Sequence, residues 1–114
     1  MRLATMLGSA ALMAATATPA LLHAETVKVT GRSPVNLQLF SCNDIQKSKL
    51  VKRVCYEDTY DYLLVLEGKK YVQYCAVDDK AVHDFLDAAD KDRFYDKKIK
   101  KHFSCRGKKV PDFA

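Results

Sequence analysis

Tyr60-Asp-Tyr-Leu-Leu-Val-Leu-Glu67, the break Gly68-Lys69, and Lys70-Tyr-Val-Gln-Tyr-Cys-Ala76 form the stretch on which the fold turns. Two runs rich in β-branched and aromatic residues flank a short polar link, and Gly68 supplies the positive φ that a tight hairpin needs. A third run, Lys49 to Glu57, precedes them, so the expected core is an antiparallel meander. Along these strands Tyr62, Leu64 and Leu66 share one face, as do Val72 and Tyr74 on the next strand, while Leu63 and Val65 point the other way. The central strand is therefore apolar on both sides, and each side needs a cover.

Downstream, Val77 to Asp90 has the clearest helical period, with Asp78 or Asp79 as N-cap. Ala81, Val82, Phe85, Leu86 and Ala89 make one apolar stripe that covers one face of the meander. Asp90-Lys91-Asp92 ends that run, and Arg93 to Phe103 forms a shorter basic helix or turn whose Phe94, Tyr95, Ile99 and Phe103 pack back onto the domain. Upstream, Glu25 to Thr30 and Val35 to Phe40 alternate as two short strands, punctuated by Gly31 and Ser33-Pro34, and are the natural cover for the second face. Ser41 to Ser48 is polar and reads as a loop. The class is α+β: a small antiparallel β-meander packed against one main helix and a short C-terminal helix, with two disulfides.

The 114 residues amount to about one domain, and 48% hydrophobic, 29% charged and only four Gly and three Pro exclude collagen-like, low-complexity and disordered chains. Met1-Arg2, an uncharged run from Leu3 to Ala15 and a small-residue site at Ala24, with Ala20 as the alternative, read as a secretory signal peptide over residues 1–24. That apolar run is shorter than the ~20 residues a membrane span requires, so no stable membrane anchor is expected. All four cysteines, Cys42, Cys55, Cys75 and Cys105, follow the leader, and an even count in an oxidising compartment makes two disulfides the default. Three connectivities are possible. The pairing Cys42 to Cys55 and Cys75 to Cys105 is preferred because it joins nearest neighbours, each linking a strand end to a flanking irregular segment. The expected location is periplasmic or secreted.

Charge is distributed unevenly. Residues 25–56 carry six basic and two acidic groups, residues 57–96 five and eleven, and residues 97–114 seven and one. The last block comprises Lys97, Lys98, Lys100, Lys101, Arg106, Lys108 and Lys109, with His102 among them. Such a block meets phosphate, anionic head groups or an acidic protein. Its plainer reading is a solvated helix face followed by a tail.

Several residues together resemble the KTSC domain, a module named for the C-terminal end of certain lysyl-tRNA synthetases. Val51-Lys-Arg-Val54-Cys55-Tyr56-Glu57 is similar to the family's apolar run leading to Tyr-Asp, and Tyr62-Leu-Leu64-Val-Leu66 to its Leu-x-Val-x-Phe strand. Val72-Gln-Tyr74-Cys75-Ala76-Val77-Asp78 resembles its Tyr-x-Tyr then Val-Pro. Phe94-Tyr95-Asp96-Lys97-Lys98-Ile99-Lys100-Lys101-His102-Phe103 resembles its closing Tyr-Phe-Asn-x-x-Ile-x-x-x-Tyr. Val72, Asp78 and Asp96 depart from the family's Tyr, Pro and Asn. The resemblance implies a small α+β module, with no established activity and RNA binding only as a suggestion, which export disfavours here. The chain divides into the leader, a strand and loop extension over 25–47, the KTSC-like domain over 48–106 and a C-terminal tail over 107–114.

The inventory for catalysis is poor. Asp79, His83 and Asp87 lie at i, i+4, i+8 on one helix face, a spacing that suits a metal but more often marks plain surface. No H-E-x-x-H, G-x-S-x-G or phosphate-cradling glycine pattern occurs. His102 with His83 is the only pair for a small cationic secreted hydrolase. Of the six tyrosines, Tyr62 and Tyr74 are assigned to the core, and Tyr60 and Tyr71 are the exposed positions on which a base would stack. The reading is an exported binding module without catalysis, cofactor or metal, whose partner is an anionic protein or polyanion. The alternative is a periplasmic inhibitor or immunity protein that plugs an envelope enzyme with the loop Asn43 to Lys49, pinned by Cys42.

Overall fold

A computed structural model describes residues 25–114; the leader reading lies outside the described residues. Two short strands, β1 (Thr26–Val27) and β2 (Val35–Asn36), pair antiparallel. A four-stranded antiparallel sheet follows in the order β3 (Ser41–Asp44), β4 (Val51–Glu57), β5 (Tyr62–Glu67) and β6 (Lys70–Tyr74). The strand expected over Val35 to Phe40 stops at Asn36, whose side chain caps a 3-10 turn at Leu37–Leu39. Helix α1 (Asp79–Asp87) and α2 (Lys91–Phe94) follow the sheet, and α2 runs on into a π turn over Tyr95–Ile99.

The β5–β6 hairpin closes at Glu67 opposite Lys70, with Gly68 at φ 63°. Its register sets Leu63 against Tyr74, Val65 against Val72 and Leu66 against Tyr71. Opposed residues of an antiparallel pair share a face. Val72 and Tyr74 therefore lie with Leu63 and Val65, while Tyr62, Leu64 and Leu66 share their face with Tyr71. Tyr71, expected to be exposed, is buried.

Each face has its own core. On one side Val51, Val54, Leu63, Val65 and Tyr74 pack against Val82 and Phe85 of α1 and against Tyr95 and Ile99. The Asp78 side chain caps α1 by accepting from the Ala81 amide. Phe85 is fully enclosed and stacks against both Phe94 and Tyr95, with centroid separations of 5.6 and 6.0 Å. On the other side Tyr62, Leu64 and Tyr71 meet Val27, Val29, Val35, Leu37 and Phe113. Arg53 stitches this layer to the sheet: its guanidinium donates to Asp44 at 2.7 Å and to Glu25 at 3.0 Å, and these bonds hold it firmly protonated.

The structure pairs Cys42 with Cys55 and Cys75 with Cys105. Three local readings are corrected. Ser41 to Asp44 is a strand, because its polar side chains stay exposed on an edge while its backbone pairs with β4. The run of α1 does end before Asp90, but the second helix starts at Lys91 and not at Arg93, since the Asp90 side chain accepts from the Arg93 amide and acts as a cap. Residues 107–114 are not a free tail: Phe113 is buried, its carbonyl accepts from the Asn36 amide at 2.7 Å, and Arg32 donates to the Pro111 carbonyl at 2.7 Å.

Candidate functional site

The basic block grows from the α2–π segment. Tyr95 and Ile99 point into the core, which leaves Lys97, Lys98, Lys100 and Lys101 exposed. Three of them divide between two surfaces. Lys97 and Lys98 flank Arg93 and Phe94 in one depression. Lys100 joins Arg106 and Lys108 in another, a shallow basin beside Val72, Gln73 and Tyr74 that is bordered by Ser104 and Cys105. Among the described residues, no carboxylate pairs with Lys97, Lys98, Lys101, Arg106, Lys108 or Lys109, whereas Lys100 Nζ lies 4.0 Å from Glu67.

Lys100 has a second task. Its ammonium lies 5.7 Å from the Tyr95 ring centroid, and the Tyr95 hydroxyl donates to Glu67 at 2.6 Å while accepting from the Tyr74 hydroxyl at 2.6 Å. Burial and then the Glu67 bond push the Tyr95 phenol far above its ordinary range, and burial raises Tyr74 as well. Both phenols keep their protons near neutral pH, and Tyr74, Tyr95 and Glu67 form one hydrogen-bonded chain between β6, the π turn and the end of β5.

A groove of about 270 Å³ runs between β3 and α1, lined by Leu39, Ser41, Asn43, Val54, Tyr56, Asp58, Asp79, Val82, His83 and Leu86. At its end the Tyr56 hydroxyl, whose pKa is raised by burial and then by Asp61, meets the Asp61 carboxylate at 2.9 Å and the Val77 carbonyl at 2.7 Å. His83 Nδ1 stands 3.9 Å from Asp79 on the exposed side of α1. Asp87 adds no third group: among the described residues no cluster of three or more His, Cys, Asp or Glu is arranged to hold a metal ion. His102 is elsewhere, with its ring nitrogen 3.2 Å from the Lys97 carbonyl, and does not line the groove that His83 lines.

The loop proposed as a plug is not an independent projection. Asn43 and Asp44 belong to β3, and the far end of the loop is tied down by Asp92. The Asp92 carboxylate accepts from the Ser48 hydroxyl and from the amides of Lys49 at 2.9 Å and Val51 at 3.1 Å. Partial burial acts to raise its pKa, but these donors outweigh that and hold it below its ordinary value. Of the two stacking positions, Tyr60 is exposed at 62% and Tyr71 is covered. The Arg32 side chain, which links Tyr62 and Pro111, gave no signal in sequence because its partners lie 30 and 79 residues away.

The family model of the KTSC domain matches residues 47–103. A crystal structure of a KTSC domain protein from Yersinia pestis superposes with a TM-score of 0.54 at 24% identity, covering 57% of this chain and 92% of that one. The fold is therefore shared, and this chain carries segments beyond the shared part. No curated protein matches. No helix of the described residues is long and apolar enough to cross a membrane.

Proposed function

The chain belongs to the KTSC domain family, and from that premise we propose that it is an exported, non-catalytic binding module which holds an anionic protein or polyanion on the basin of Lys100, Arg106 and Lys108. The convergence of these three cations beside Gln73 carries the reading. They come from two segments, the end of the π turn and the C-terminal stretch, and the Cys75–Cys105 bridge anchors the second to the sheet. Lys97, Lys98, Lys101 and Lys109 are exposed and enlarge the positive field around the basin. Export is supported by the leader pattern and by two bridges of a kind that persists in oxidising compartments.

Retention on immobilised heparin, a model polyanion, tests the assignment. The double variant Arg106→Gln, Lys108→Gln should elute at clearly lower salt than the parent, while Lys80→Gln on α1 should not. For the parent, raising salt from roughly 50 to 200 mM should weaken binding at least tenfold if several contacts are ionic. Unchanged elution of the double variant overturns the proposal. Lys100 is left out of that variant because its ammonium also serves the Glu67–Tyr95 link.

A further inference from the structure

Strand β3 is one of the two outer strands of the four-stranded sheet, and among the described residues no strand pairs with its outer flank. The Ile45 amide donates to Lys52, which marks that pair as hydrogen-bonded. Pairing alternates along an antiparallel ladder, so Asn43 and Ser41 also face β4, and Cys42 and Asp44 turn their backbone N–H and C=O groups outward. The 4.0 Å Cα separation of Cys42 and Cys55 fits a close, non-hydrogen-bonded pair. An edge of this kind is blunted by short length, charged side chains, Pro, a bulge or a covering segment; β3 has four residues and one charge, Asp44, which is bonded to Arg53 at 2.7 Å. Ser41-Cys-Asn-Asp44 contains neither Lys nor Pro, and its pairing with β4 runs without a register shift.

The groove beside this edge has two further properties. Its floor is apolar, with Val54, Val82 and Leu86, and Leu39 stands at its mouth with 71% of its surface exposed. Its charged lining is acidic, with Asp58 and Asp79 and no Lys or Arg. A volume of about 270 Å³ is below the ~300–1,000 Å³ of small-molecule sites, and suits one or two side chains better than a cofactor.

We propose that the open flank of β3 and this groove form a docking site for an extended, Lys- or Arg-bearing segment of a partner protein, which adds to β3 as a fifth strand. Backbone groups of Cys42 and Asp44 hold the segment, an apolar side chain seats over Val54, Val82 and Leu86, and a cationic side chain meets Asp58 and Asp79. Strand addition of this type draws affinity from main-chain bonds and specificity from the pockets beside them. The site is separate from the basic basin and of opposite charge, so it stands or falls independently.

The test uses protein purified after expression of the full sequence and three acetylated heptapeptides: one alternating Lys and Val, one alternating Glu and Val, and the Lys–Val peptide with alternate amides N-methylated. Amide shifts by heteronuclear NMR should move at Cys42 and Asp44 and along α1 with the Lys–Val peptide. The Glu–Val peptide should bind at least tenfold more weakly, and the methylated peptide should lose the β3 shifts. The double variant Asp58→Asn, Asp79→Asn should keep its dispersed spectrum and bind the Lys–Val peptide at least tenfold more weakly. The proposal is overturned if the Lys–Val peptide leaves the β3 amides unmoved, or if the two charge types bind equally. Concentration-dependent β3 shifts without peptide would assign the edge to a second copy of the chain and overturn it too.

Discussion

The two faces of the central sheet are buried by different means. The helix-side core is assembled from β4, β5, β6, α1 and the α2–π segment, all within the 47–103 stretch that the family model matches. The opposite core takes its cover from outside that stretch, from Val27, Val29, Val35, Leu37 and Phe113. Each disulfide crosses the same boundary: Cys42 lies before it and Cys55 within it, Cys75 within it and Cys105 beyond it. A sheet with one covered face exposes a large apolar surface to water, and short flanking segments order poorly on their own because they bury little area against their entropy cost. The bridges remove part of that cost from the unfolded chain. The lesson is that an added layer can be stapled on where it is too small to hold itself.

Breaking the helix-side core should have the largest effect. Phe85→Ala empties a fully enclosed position stacked on two aromatic rings and should cost about 3–5 kcal/mol, enough to unfold much of the population in so small a domain. Thermal and denaturant unfolding measure it. A melting temperature within a degree or two of the parent would show that α1 does not carry that core.

Opening one staple should be milder and one-sided. Cys75→Ala with Cys105→Ala releases a bridge spanning 30 residues, at a cost of about 3 kcal/mol. Hydrogen exchange should then lose protection first at the amides of Thr30, Asn36 and Leu37, whose acceptors are Tyr71, Phe113 and Glu25. The central strand around Leu63 and Val65 should hold its protection longer. Uniform loss along the chain would mean that the two layers form one cooperative unit, and the contrast between the faces would fail.

The same contrast explains what was legible in the sequence. Helix α1 announced itself through a 3.6-residue apolar period and an Asp cap, and the hairpin through Gly68, because both signals are local. Strand β3 was hidden: an edge strand with exposed side chains on both sides has no alternation to read, and only its Cys42 hinted at a cross-strand partner. The burial of Tyr71 has no local signal, because it depends on register with Leu66 and on Val29 pairing beside it. Phe113 carries no local sign of burial, because its burial exists only once residues 27–37 have folded over the sheet. For the site, the cationic residues were visible as a run, but their division into two surfaces follows from the inward turn of Tyr95 and Ile99. The groove beside β3 was not visible at all, since it joins residues from Leu39 to Leu86.

The smallest expected effect sharpens the helix-side half of the comparison. Asp92 belongs to the helical layer, and its carboxylate gathers the Ser48 hydroxyl and the amides of Lys49, Leu50 and Val51 where β4 begins. Asp92→Asn keeps the shape but replaces one accepting oxygen by a donor facing other donors. Because the group is only partly buried, a loss of about 1 kcal/mol at pH 7 is expected. The pH dependence gives the sign. The folded pKa is depressed, so the carboxylate's contribution is complete above its unfolded value of about 3.9 and is lost as pH falls through the folded value. Stability of the parent should therefore decline over that acid range more steeply than stability of the variant, and the two curves should converge at its lower end. Denaturant unfolding across pH 2 to 7 would measure this. Parallel curves throughout would show that the donors around Asp92 do not favour its charged form, and that the start of β4 is held by packing alone.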